Sequence, residues 1–145
     1  MSTQAILEKT LRANNKSITI TRIRVFQALA ESEPQTISEI IQKLHNSVDR
    51  ASVYRTIELY EKLGIVQRLQ IGWKYRLELT ETFHHHHHHL TCIKCNVIVV
   101  VKDINSLENK LKNVAKKAQF KLTSHQIELQ GLCSKCQNLR PQLYS

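Results

Sequence analysis

The order of apolar and polar residues divides the chain into a helical first part and a mixed second part. Ile6, Leu7 and Leu11 recur at helical spacing over residues 3–13, as do Val25, Phe26, Leu29 and Ala30 over 20–31. Pro34 separates that helix from a third over 37–45, where Thr36 followed by Glu39 forms a capping-box pattern. A fourth helix over about 50–63 stops at Gly64; it sets Val53, Ile57, Tyr60 and Leu63 on one side and Ala51, Tyr54, Arg55, Glu58 and Lys62 on the other. After Gly64 the period becomes two. A strand near 65–70 and a turn at Gly72 lead to a second strand, in which Trp73, Tyr75, Leu77 and Leu79 alternate with Lys74, Arg76 and Glu78. Helices followed by a hairpin in this order predict a winged helix-turn-helix over residues 1–80.

The pattern changes at residues 81–84, the predicted hinge. Residues 85–145 offer a His-rich strand, a β-branched strand over Val97–Val101, a helix near 105–118 and a further strand near 119–130. Leu107, Leu111, Val114, Ala115 and Ala118 mark that helix. The expected fold class is α+β, a winged helix followed by a small α/β dimerisation domain. Two domains within 145 residues each bury a thin core, so a metal staple and dimerisation both help.

A net charge of +9 points to a polyanionic partner. Residues 1–80 carry 12 Lys and Arg against 8 Asp and Glu, and residues 81–145 carry 9 against 4, so the excess is spread over both halves. There is no signal-peptide pattern, and the longest apolar run, Val97–Val101, is far too short to span a bilayer. A cytosolic location is expected.

All four cysteines fall in two Cys-x-x-Cys pairs, Cys92-Ile-Lys-Cys95 and Cys133-Ser-Lys-Cys136. One such pair can be a redox motif. Two pairs with no spare thiol, in a reducing compartment, predict a structural zinc site. A zinc held by four cysteines has no open coordination position, and no nucleophile–base pair or phosphate-binding glycine loop accompanies it; this argues against an enzyme.

Six histidines, His84 to His89, stand before the first pair, enclosed by patterned sequence rather than at a terminus as a purification tag would be. In a strand they alternate, His84, His86 and His88 on one side and His85, His87 and His89 on the other, so one strand can serve two metal sites. Imidazole suits several divalent ions and does not name one. Further ligands would come from Glu78, Glu81, Glu108 and His125. Each has a structural alternative: Glu108 follows Asn105 at capping-box spacing, Glu78 can be a polar strand residue, and His125 an ordinary buried histidine.

Tyr54 and Arg55 lie near the start of the fourth helix, where a recognition helix meets base edges: Arg can grip guanine and an aromatic ring can pack on thymine methyls. Ser52 and Arg22 suit phosphates, and Lys74 and Arg76 on the hairpin can follow the backbone. The alternative is an ordinary ion pair between Arg55 and Glu58 beside a half-buried Tyr54.

Thr19-Ile20-Thr21-Arg22, Ala51-Ser52-Val53-Tyr54-Arg55-Thr56, His86–His89-Leu90-Thr91-Cys92-x-x-Cys95, Leu122-Thr123-Ser124-His125 and Cys133-x-x-Cys136 occur in one order. Together they resemble the ferric uptake regulator (Fur) family over roughly residues 5–137. The resemblance implies a homodimeric, metal-dependent transcription regulator, usually a repressor, acting on a palindromic DNA operator. By position it implies that Cys92, Cys95, Cys133 and Cys136 hold a structural Zn²⁺. Glu78, His87 and His89 would form a hinge sensory site, and His86, His88, Glu108 and His125 a second site, for a regulatory Fe²⁺, Zn²⁺ or Mn²⁺. Tyr54 and Arg55 match the family's base-contacting residues. Many members carry a hinge histidine before the third helix; this chain reads Glu33-Pro34-Gln35. Two other readings stay open: a winged-helix regulator with structural zinc only, and a metal storage or trafficking protein.

Overall fold

The computed structural model describes residues 2–30, 33–71, 74–83, 87–101, 104–123, 125 and 127–138. Contacts group the chain into two units, Met1–His85 and His86–Ser145.

The first unit begins with α1 (Thr3–Ala13), α2 (Ile20–Ala30), α3 (Ile37–Leu44) and α4 (Arg50–Lys62). Ser2 caps α1, and the Thr19 hydroxyl accepts the Arg22 N–H at the start of α2. Thr36 and Glu39 complete the expected reciprocal capping box at α3, and Asp49 caps α4 through the Ser52 N–H. Helix α4 ends in a Schellman motif: the Gly64 N–H bonds to the Glu61 carbonyl and the Ile65 N–H to the Tyr60 carbonyl. Gly64 sits at φ 66°, a left-handed conformation that glycine adopts without the Cβ clash.

Leu7 and Leu11 of α1, Val25, Phe26 and Leu29 of α2, Ile40 of α3, and Val53, Ile57 and Tyr60 of α4 meet in one buried core. Each such side chain contributes roughly 1.5–3 kcal/mol by leaving water. Strands β1 (Val66–Ile71) and β2 (Lys74–Leu79) form an antiparallel hairpin, closed onto the core by Val66, Leu77 and Leu79. This is the wing; the turn assigned to Gly72 and the side chain of Trp73 lie outside the described residues. Gln35 pairs with Leu77 through two backbone hydrogen bonds, 3.0 and 2.6 Å, and so ties β2 to the connection between α2 and α3.

The second unit contains β3 (His88–Cys92), β4 (Ile98–Val101), α5 (Asn105–Lys117), β5 (Glu128–Gly131) and α6 (Ser134–Gln137). The sheet order is β4-β3-β5, with β4 antiparallel and β5 parallel to β3. The strand expected near 119–130 is, among the described residues, Glu128–Gly131 alone; Gln119 turns the chain at φ 53° after α5. At α5 the residue before the helix is Ile104, with no side-chain cap, so Asn105 is not the cap residue that the alternative role of Glu108 required.

Among the described residues of this unit no Leu, Ile, Val or Phe is buried; its buried residues are Cys92, Cys136, His88, His89 and Thr91. Its core is therefore made largely of donor atoms. Leu90, Val99 and Leu129 align across the sheet in register and are 39%, 48% and 54% exposed.

Candidate metal centres and nucleic-acid interface

Parallel pairing of β3 with β5 sets Cys92 opposite Gly131, two residues before Cys133. That register brings the two Cys-x-x-Cys turns together from distant points in the chain. The four sulfurs lie within 4.8 Å of one another, and Cys95 and Cys133 are 3.7 Å apart. This is far longer than a disulfide and close to the edge of a tetrahedron built on Zn–S bonds, about 3.8 Å. The Cys133 backbone N–H donates to Cys92 Sγ at 3.4 Å and lowers the Cys92 thiol pKa; burial raises that of Cys136. Four sulfurs this close cannot all ionise without a cation to offset their repulsion, and a soft tetrathiolate selects zinc over hard ions.

A second donor set lies between β3 and α5. Nε2 of His88 is 2.7 Å from Oε1 of Glu108, and Nε2 of His125 is 3.1 Å from the same oxygen. His88 is buried and the other two are mostly shielded. Side-chain alternation along β3 sends His88 to this group and His89 to the opposite face. His89 meets His87 edge to face, ring centroids 4.8 Å apart. His86 lies outside the described residues. Glu78 is buried in β2 of the first unit, where its Oε1 accepts a 2.7 Å hydrogen bond from Gln67 Nε2. Glu81 is exposed after β2.

On α4, Val53, Thr56, Ile57 and Tyr60 face the core, which turns Tyr54 and Arg55 outward. Glu58 pairs with Lys62 at 2.8 Å rather than with Arg55. Arg55 instead donates to the Ser52 hydroxyl at 3.2 Å. Thr19, Thr21, Arg22, Ser52, Arg55 and Thr56 line one open cleft of about 280 Å³, so three of the expected nucleic-acid residues converge. Arg22 also donates to the Ser17 carbonyl. Lys74 stands exposed at the start of β2. Arg76 bonds to the Pro34 carbonyl at 3.0 Å and to Glu39 at 3.3 Å.

Two residues escaped the sequence reading. Gln67 is opposite Glu78 only through strand register, which no local pattern reveals. Arg50 sits over the Tyr54 ring, 5.7 Å from its centroid, and the Arg-x-x-x-Tyr spacing was a signal that would have found it.

A winged helix followed by a sheet unit with a tetrathiolate knot and a histidine–carboxylate cluster defines a class of two-part, metal-dependent regulators. The sequence model described as the ferric uptake regulator family matches residues 13–130, and the chain belongs to that family. The ferric uptake regulation protein of Legionella pneumophila is 34% identical over 126 residues, covering 83% of this chain and 90% of that one. The ferric uptake regulator of Helicobacter pylori, whose structure reveals three functional metal binding sites, superposes with a TM-score of 0.77 at 27% identity, covering 97% of each chain. That of Vibrio cholerae, described by a structural rearrangement of its DNA-binding domains, has a TM-score of 0.70 at 27% identity, covering 87% of this chain and 98% of that one.

Proposed function

We propose that the chain is a cytoplasmic, homodimeric repressor that binds a palindromic operator when a divalent metal is held by its histidines and carboxylates. The observation that carries this reading is the contrast between its donor sets. Four thiolates suit a permanent structural Zn²⁺, whereas His88, Glu108 and His125 form a harder, partly shielded set suited to an exchangeable Fe²⁺, Mn²⁺ or Zn²⁺. His86 completes that set in the reading, and Glu78, His87 and His89 supply the hinge sensory site. A bound ion there supplies positive charge that holds carboxylate and imidazoles in one arrangement.

The winged helix supports the DNA half of the reading. Tyr54 and Arg55 are the base readers, Arg22 and Ser52 grip phosphate, and Lys74 tracks the backbone. Arg76, which also bonds Glu39 at 3.3 Å, follows the backbone beside Lys74 in this reading. Dimerisation is supported by the uncovered apolar row Leu90, Val99 and Leu129 and by α5, none of whose residues is buried. A second copy would cover them and set two recognition helices about 34–36 Å apart, one turn of DNA or a multiple of it. No helix among the described residues is long and apolar enough to cross a membrane.

A second reading, DNA binding with structural zinc only, is favoured by the Glu33–Gln35 segment, which offers no imidazole and whose backbone is engaged with β2. The test is a titration of the purified chain with Fe²⁺, Mn²⁺ or Zn²⁺ while its affinity for a selected palindromic duplex is measured. Near-complete switching needs differential binding of up to about 5.5 kcal/mol. An affinity that rises with an ion and falls when His87 and His89 are replaced supports the sensor; an affinity indifferent to every ion leaves the zinc-only regulator.

A further inference from the structure

Resting on the DNA-binding reading of α4, we infer that Arg50 is a third base-reading residue, held in place by Tyr54. Arg50 is the first residue of α4 and is exposed. Its guanidinium lies 5.7 Å from the Tyr54 ring centroid, and Tyr54 is itself 42% exposed. The pair therefore stands out from the surface rather than inside the core.

The neighbouring charges leave Arg50 available. Asp49 is committed to capping, its carboxylate accepting the Ser52 N–H at 2.9 Å. Among the described residues no carboxylate pairs with Arg50, in contrast to Arg12, Arg68 and Arg76, each of which has one.

A guanidinium placed over an aromatic ring is attracted to its face, and the N–H donors that point away from the ring stay free. Those donors match O6 and N7 of guanine in the major groove, the commonest specific contact of arginine. The first turn of a recognition helix is where such contacts are made. That attraction also favours one placement of a long side chain before DNA arrives, so less freedom is lost on binding. Lysine keeps the charge but has neither the planar face nor the fork. The inference is thus specific to arginine at this position.

The test selects duplexes from a randomised library on the metal-loaded full-length chain, with Arg50→Ala and Arg50→Lys selected in parallel. Dissociation constants are then measured for the selected duplex and its single-base variants at several salt concentrations. Arg50 is exposed, and circular dichroism checks that both variants fold. Both should lose preference at one guanine-containing position per half-site, with binding to the selected duplex weakened by about tenfold. Two outcomes overturn the inference while leaving the parent reading intact. One is unchanged affinity and preference. The other is a loss uniform across sequences, restored by lysine and with a reduced salt slope, which marks a phosphate contact. If the unsubstituted chain selects no sequence, the parent reading falls and this inference with it.

Discussion

Glu78 and Gln67 face each other across the wing, in register, and the Gln67 amide donates to Oε1 of the buried Glu78 carboxylate at 2.7 Å. A neutral donor fixes the carboxylate without cancelling its charge, and the groups that orient a ligand govern its affinity. Gln67→Leu removes the donor at similar bulk. It should weaken the proposed hinge site for Mn²⁺ by roughly 10–100-fold, as measured by calorimetry, while the tightly held zinc stays at one per chain. Unchanged Mn²⁺ affinity would show that Glu78 is not a ligand or is oriented by other means.

Glu108 holds two imidazoles on one oxygen, at 2.7 and 3.1 Å. Replacing it with Gln keeps the shape and removes the negative charge a cation needs. Glu108→Gln should lose the second exchangeable ion in metal analysis after dialysis, and the thiolate-bound zinc should remain. Retention of both ions would count against this ligand set.

Removal of zinc should act on the second unit alone. Structural zinc contributes about 10–16 kcal/mol of folding free energy in zinc-finger peptides, comparable to or larger than the whole stability of a small domain. A unit whose buried residues, among those described, are two cysteines, two histidines and a threonine draws little on apolar packing. Cys92→Ser, or a strong chelator, should therefore collapse amide-exchange protection in β3, β4 and β5 while α1 to α4 stay protected. Protection that survives in the sheet would contradict a zinc-dependent fold.

Tyr60 ties α4 to α2: its hydroxyl donates to the Arg22 carbonyl at 2.7 Å from a fully buried ring. Burial raises its pKa above the ordinary 10.0, and the nearby Arg22 charge only partly opposes this. The folded state thus favours the neutral phenol. Its contribution is whole below pH 10 and is lost as pH climbs past that value, where the unfolded chain ionises first. Tyr60→Phe should cost about 1 kcal/mol at neutral pH in urea unfolding and should reduce the decline in stability above pH 10. An undiminished alkaline decline would assign it to other groups.

Much of the first unit was legible in local pattern, because helices announce themselves by short-range spacing and by caps. Thr36 and Glu39 formed the expected box, Gly64 stopped α4 by accepting a left-handed turn, and the core-facing side of α4 held the expected Val53, Ile57 and Tyr60. The two Cys-x-x-Cys pairs likewise named their own chemistry, since each turn aims two sulfurs at one point. Long-range pairing was not written there. The β3–β5 register is what joins the cysteine turns, and the approach of α5 to β3 is what sets one Glu108 oxygen against both His88 and His125, a grouping that only the family resemblance had implied. Arg76 turned to Glu39 for the same reason: spacing told which face it left the strand from, not which charge lay nearest. The sequence by itself determined the elements and the kinds of donor atom, because these depend on neighbours a few residues away. The tertiary structure alone decided how closely those donors converge and through which atoms, because that depends on strand register and packing between residues tens of positions apart.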